Sequence, residues 1–222
     1  MKERPIIFSG PMVKAILDGS KTQTRRVVQL QPTSPATIFD VGGDLPVWAI
    51  WPSEDLDEAG HPKDHGIKCP YGRPGDRLWV REAFSLVPCS AGCEKYPDGF
   101  DPRVASVHQP NAPHEGVRYK ATWDRCHSAP WRPSIHMPRW ASRITLEVTG
   151  VRVERLKEIS HEDSVAEGFG PHLQEKTRNA PNGKTWGPLG FSQLWDKING
   201  ASHPWESNPW VWVVTFRKAV GS

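Results

Sequence analysis

Lys21 and Thr24 stand three residues apart in the stretch ILDGSKTQTRRVV (16–28), with Thr22 between them and Arg25 and Arg26 directly after. A threonine hydroxyl is a poor nucleophile at neutral pH and needs a base beside it. A lysine serves as that base only where desolvation or neighbouring cations depress its pKa. Arg25 and Arg26 are such cations, and a pocket wall drawn from the 11 tryptophans of the chain would supply the desolvation. The same residues have a plainer reading. A Lys-Thr-x-Thr-Arg-Arg strand also suits a solvated sheet edge, where charge discourages pairing with another chain. In an ideal strand positions 21 and 24 face opposite ways, so bringing them together requires a turn or bulge at Lys21. Gly19 makes that turn affordable.

The flanking elements are legible. Pro5–Phe8 reads as a first strand. Gly10-Pro11 then opens a helix, with proline near the first helical position where its missing N–H costs nothing. Met12, Val13, Ile16 and Leu17 give that helix an apolar face, Gly19 stops it, and Lys21–Val28 suits a strand leaving the turn. The turn cluster 70–76 feeds a strand over 77–84, and 116–123 reads as another. Residues 131–140 form a proline-pinned loop in which Trp131, His136, Met137, Arg139 and Trp140 would make a lip for stacking a base, although tryptophans more often fill a core. Residues 142–156 are the clearest strand, with alternation broken near Gly150. Ser160-x-x-Asp163 caps a short helix to Glu167, 191–198 is a second amphipathic helix, and 210–216 is a closing strand.

The totals bound the class. The length of 222 residues suits one domain carrying insertions, which we place at about 29–70, 86–115 and 171–188. With 22 prolines and 19 glycines, short strands and loops outweigh long helices. Short strands, few helices and no strand–helix–strand rhythm predict an α+β fold, a small mixed β-barrel with short flanking helices and long loop insertions. Lys and Arg number 28 against 25 acids, a balance that argues against a protein coating nucleic acid and leaves a small anionic or nucleotide ligand open. No apolar run of spanning length and no signal-like N-terminus occur, so the expectation is a soluble, cytoplasmic protein without a membrane partner. Cys69, Cys89, Cys93 and Cys126 fit no standard zinc pattern, which favours free thiols, with a structural zinc as the alternative.

Gly19-x-Lys21-x-x-Thr24-x-Arg26 resembles the signature of the ASCH domain, a member of the PUA-like β-barrel superfamily. The usual signature has glutamate where Thr24 stands. That threonine is shared with small bacterial ASCH amidohydrolases acting on N4-acetylcytidine, and the longer layout is similar to ASCH proteins of phages and prophages. The resemblance spans roughly half the chain as a core split by insertions. It implies cleavage of an N4-acyl amide of cytidine or a related modified nucleoside, with no cofactor and no catalytic metal. Thr24 would be the nucleophile, Lys21 its activator and Glu167 the residue that orients or relays a proton. Glu162, Asp163 and Glu82 stand as substitutes for Glu167, and an ordinary exposed helix acid is its plain alternative. Glu82 is attractive independently because it ends a strand beside Trp79 and Arg81. Arg25, Arg26, Trp79, Glu82 and Trp140 are the expected substrate-binding residues. Two other functions compete: a non-catalytic reader of RNA or modified nucleotides, and a metal-dependent ribonuclease.

Overall fold

The structure is a computed structural model describing residues 1–31, 37–39, 47–56, 62–86, 117–123, 131–168 and 186–219. Its centre is a five-stranded sheet built from β1 (Glu3–Ile7), β2 (Gln23–Val27), β6 (Arg77–Arg81), β9 (Thr145–Arg155) and β10 (Trp210–Lys218), in the order β1-β6-β9-β10-β2. β1 and β6 run parallel, and every other neighbouring pair is antiparallel. The fold is therefore mixed α+β and mostly sheet.

Period-two alternation gives the sheet two apolar faces. Leu78, Val80, Leu146, Val148, Trp212, Val214 and Phe216 face the main core, where Val13 and Ile16 of α1 (Gly10–Leu17) pack among them. Val211 and Val213 face the other way, against Leu156, Ile159, Phe191 and Trp195. The last two of these belong to α3 (Trp186–Asn199), which lies beside α2 (His161–Ala166). Burying a strand on both sides explains why β10 reads as an unbroken apolar run rather than an alternating one.

Backbone hydrogen bonds leave the sheet open at β1 and β2. The two edges nevertheless meet. Arg26 on β2 donates from its guanidinium to the Ile7 carbonyl at 2.5 Å and lies 5.2 Å from the centre of the Phe8 ring. Phe8 in turn sits 6.1 Å from Phe216 of β10. The strands are not closed into the expected barrel; these side-chain contacts link the two edges instead.

The expected elements recur with informative differences. The strand expected over 77–84 stops at Arg81 and resumes as β7 (Phe84–Leu86), which pairs with β8 (Val117–Tyr119). The break near Gly150 is a bulge: Gly150 pairs with Thr215 and Val148 with Phe216, leaving Thr149 over. Residues 29–70, expected as irregular, contain a three-stranded antiparallel sheet of β3 (Thr37–Phe39), β4 (Trp48–Leu56) and β5 (Pro62–Lys68). Pro52 and two acidic residues, Glu54 and Asp55, interrupt the apolar pattern of β4, where the register with β5 slips between Pro52 and Leu56. A strand with such an irregularity carries no clean period for sequence reading to find. The insertion at 86–115 and residues 171–185 of the third lie outside the described residues, apart from Leu86; 186–188 open α3.

Candidate functional site

The turn after α1 carries Lys21 into the body of the protein. Gly19 adopts φ 82°, a left-handed conformation that suits glycine, and the chain reverses so that the Lys21 N–H bonds the Ala15 carbonyl at 2.9 Å. Lys21 is thus placed before β2, not within it, and forms an isolated antiparallel bridge with Glu167. On the other side, Ser160 caps α2 by accepting the Asp163 N–H at 3.0 Å, and the helix ends at Glu167. Gly168 follows at φ 95°, packed so closely that a Cβ there would stand 3.1 Å from Ala15 and 3.3 Å from the Lys21 Cβ. Two short helices are in this way locked end to end around one lysine.

The Lys21 side chain is wholly buried, and its Nζ donates to Glu167 Oε2 at 2.7 Å, the Gln23 carbonyl at 2.7 Å and the Glu167 carbonyl at 2.9 Å. Three N–H groups meet three acceptors, so the ammonium is saturated. Burial lowers the Lys21 pKa most strongly; the Glu167 carboxylate pulls it back up, and the Arg26 and Arg25 charges push it down again, with a net lowering. The Phe8 ring lies 5.7 Å from Nζ and seals that side.

The other carboxylate oxygen of Glu167 belongs to Arg25. Its guanidinium, also wholly buried, reaches Glu167 Oε1 at 3.4 Å and Asp163 Oδ2 at 2.7 Å, and pairs with Glu154 as well. Arg152 on β9 completes the set through Glu154 at 2.9 Å and Asp163 at 2.7 Å. Burial raises the Asp163 pKa, but Arg25 and Arg152 together outweigh it and hold the carboxyl below its ordinary value. Arg152 and Glu154 were missed by sequence reasoning. Their signal was present: two opposite charges at i and i+2 in an alternating strand share one face, and here that face is covered by α2 and α3.

Thr24 lies on the opposite face of β2 from Arg25. It pairs with Val214, a main-core residue, so its side chain points to the interior side of the sheet. It is 3 % exposed, and its hydroxyl makes no hydrogen bond among the described residues. The peptide carbonyl that Lys21 Nζ touches is the one joining Gln23 to Thr24, which sets the ammonium beside the Thr24 backbone.

The remaining expected residues disperse. Arg26 spans the gap to β1, as described above. Trp79 sits on the face of β6 opposite Leu78 and Val80, hence opposite Thr24, with Arg81 5.4 Å from its ring. Glu82 is buried and held by Arg143 at 2.9 and 3.1 Å; burial raises its pKa and Arg143 lowers it, for a net rise. Trp140 is exposed on a short turn (Arg139–Ala141), without a hydrogen bond or ring contact to Lys21, Thr24 or Glu167. Of the lip, Met137 is buried in a small core with Phe84, and Arg139 pairs with Glu3 at 2.8 Å. Asp163 joins the network around Glu167, whereas Glu162 is exposed.

Cys69 is buried, and burial pushes its thiol up to about 11, so it behaves as a small apolar core residue. Cys89, Cys93 and Cys126 lie outside the described residues. Among the described residues no three His, Cys, Asp or Glu side chains are grouped to hold a metal, and no helix is long and apolar enough to cross a membrane. Comparison with family models, curated proteins and solved structures returns no match.

Proposed function

We propose that the chain is a hydrolase of the ASCH, PUA-like kind that cleaves the N4-acyl amide of cytidine or a related modified nucleoside. The observation that carries this reading is the buried contact of Lys21 with Glu167, at 2.7 Å and across 146 positions of sequence, with an unbonded Thr24 hydroxyl one peptide away. The same resemblance singles out these three residues. A PUA-like barrel belongs to the proposal too, supported by the contact of Arg26 with the end of β1.

The chemistry follows from the contacts. A proton passing from Lys21 Nζ to Glu167 Oε2 leaves a neutral amine and a carboxylic acid, and the amine gains a lone pair. Releasing the Gln23 carbonyl turns that lone pair toward Thr24, whose hydroxyl proton it accepts as Oγ1 attacks the acyl carbon. The C–N bond then breaks as Lys21 passes the threonine proton to the N4 nitrogen, cytidine leaves, and Glu167 returns its proton to Lys21 to restore the ammonium–carboxylate pair. Water hydrolyses the acyl-threonine and restores the hydroxyl. Incubating purified protein with N4-acetylcytidine and following cytidine release tests this directly. Turnover by the wild type that drops at least about a hundredfold in Thr24→Ala and in Lys21→Ala is expected; absence of turnover across a panel of N4-acylcytidines would sink the reading.

A non-catalytic reader of RNA or modified nucleotides is the second reading, and one observation favours it. Lys21 already spends all three N–H groups inside the protein, and no base is bonded to the Thr24 hydroxyl. Nucleoside or RNA binding that persists in Thr24→Ala, without amide cleavage by either protein, would select it.

A further inference from the structure

The hydrolase reading makes Lys21 and Glu167 a proton-handling pair, and Glu167 has a second claimant. Arg25 reaches the same carboxylate from within β2, on the face covered by α2 and α3. Its burial is complete, and the Phe191 ring stands 5.9 Å from its guanidinium carbon. It is therefore out of reach of a substrate entering on the Thr24 face, and its Nε is buried without a partner. A strand that only needed a solvated edge would not bury an arginine this deeply, since the desolvation cost of a charge is several kcal/mol.

We infer that Arg25 is a positioning residue for the Lys21–Glu167 pair. It holds Glu167 Oε1 so that only Oε2 faces Lys21, and it takes for itself part of the carboxylate charge that Lys21 would otherwise have alone. The inference rests on the hydrolase reading for its purpose. Its geometry stands independently: one carboxylate is divided between two buried cations, Lys21 from the turn before β2 and Arg25 from within the strand. The groups around Lys21 are few. Glu167 and the Phe8 ring touch it, Arg25 and Arg26 follow from β2, and Asp163, Glu154 and Arg152 lie behind Arg25. Three cations and three carboxylates balance in this network, so removing Arg25 leaves Lys21 in surroundings that favour its charged form.

The test reads Lys21 itself and needs no substrate. The full chain is labelled with 13Cε-lysine, the Lys21 signal is assigned by its absence in Lys21→Met, and its titration midpoint is followed by NMR. The midpoint is expected to rise by about one pH unit or more in Arg25→Gln and to stay near the wild-type value in Arg25→Lys, which keeps the charge. Should Arg25→Gln fail to fold, Arg25→Met, which fills the same buried space without a charge, carries the same expectation. An unmoved midpoint in a folded variant lacking the Arg25 charge overturns the inference. If the midpoint moves while wild-type protein leaves every N4-acylcytidine intact, the tuning by Arg25 stands and the hydrolase reading falls.

Discussion

At the scale of single residues, the two left-handed glycines flanking Lys21 make a controlled comparison. Gly19 and Gly168 both adopt positive φ, so an alanine at either costs about 1–2 kcal/mol in backbone strain. Around Gly19 nothing lies within 4 Å of the added Cβ. At Gly168 the Cβ meets Ala15 at 3.1 Å and Lys21 at 3.3 Å, and both are fixed by burial or backbone bonding. Gly19→Ala should lower the urea midpoint by the strain alone and leave the Lys21 13Cε NMR signal of the folded protein near its wild-type position. Gly168→Ala should cost more stability and also displace Lys21, shifting that signal in protein held well below the midpoint. Equal effects on both quantities would mean that the packing of Gly168 on Lys21 has no bearing on the site.

At the scale of elements, the site depends on where α2 ends, and α2 has only six residues. A helix this short is marginal by itself and relies on its cap and its packing. Ser160 supplies the cap, and Asp163, whose N–H it holds, is the residue that Arg25 and Arg152 grip. Ser160→Ala should therefore cost about 1 kcal/mol in thermal or urea unfolding, the usual worth of such a cap. It should also loosen the exit of α2, seen as faster amide exchange at Ala166 and Glu167 than at Val13 and Ile16 of α1. Uniform exchange across both helices would argue that the salt links alone fix α2. This element also shows what was legible beforehand. The Ser160-x-x-Asp163 cap, the Gly19 stop and the closing apolar strand are local signals, and each appears where local chemistry dictates. The meeting of Lys21 with Glu167 is a long-range contact that spacing cannot reveal, and only the family resemblance pointed to it. Arg25 looked like a ligand-facing cation because its sequence neighbours are polar. Burial on the α3 side depends on Phe191, which lies far along the chain. The opposite placement of Trp79 follows from the same kind of cause: period two sets its face only once Leu78 and Val80 are known to be inside.

At the scale of the whole molecule, the sheet is joined to its two helical layers in different ways. The α1 side is apolar, built on Val13, Ile16, Phe8 and Phe216, whereas the α2 side adds buried and half-buried charge around Arg25 to the apolar contacts of α3 with Val211 and Val213. Apolar burial is indifferent to pH, so acid should act on the α2 side and on the few ion pairs elsewhere. Asp163 has a lowered folded-state pKa, as does Asp76, where burial raises the value and the Lys2 N–H, Arg4 and Arg73 more than offset it. An acid held below its unfolded value contributes stability that is complete above that value, about 3.9, and is lost as pH falls through the folded one. Glu82 has the opposite sign: its raised pKa favours the folded state at low pH and that advantage disappears as pH rises through the folded value. The acid fall in stability thus traces to carboxylates held low, Asp163, Asp76 and Glu3, with Glu82 contributing in the opposite sense. Urea midpoints measured from pH 7 to pH 3 should decline for the wild type below about pH 4. Asp163→Asn should begin lower at pH 7, because Arg25 and Arg152 lose a partner, and should then decline less steeply, leaving Asp76 and Glu3 to account for the remainder. Parallel curves for the two proteins would show that Asp163 takes up its proton without consequence, and that the ionic joint of α2 to the sheet is not where acid unfolding starts.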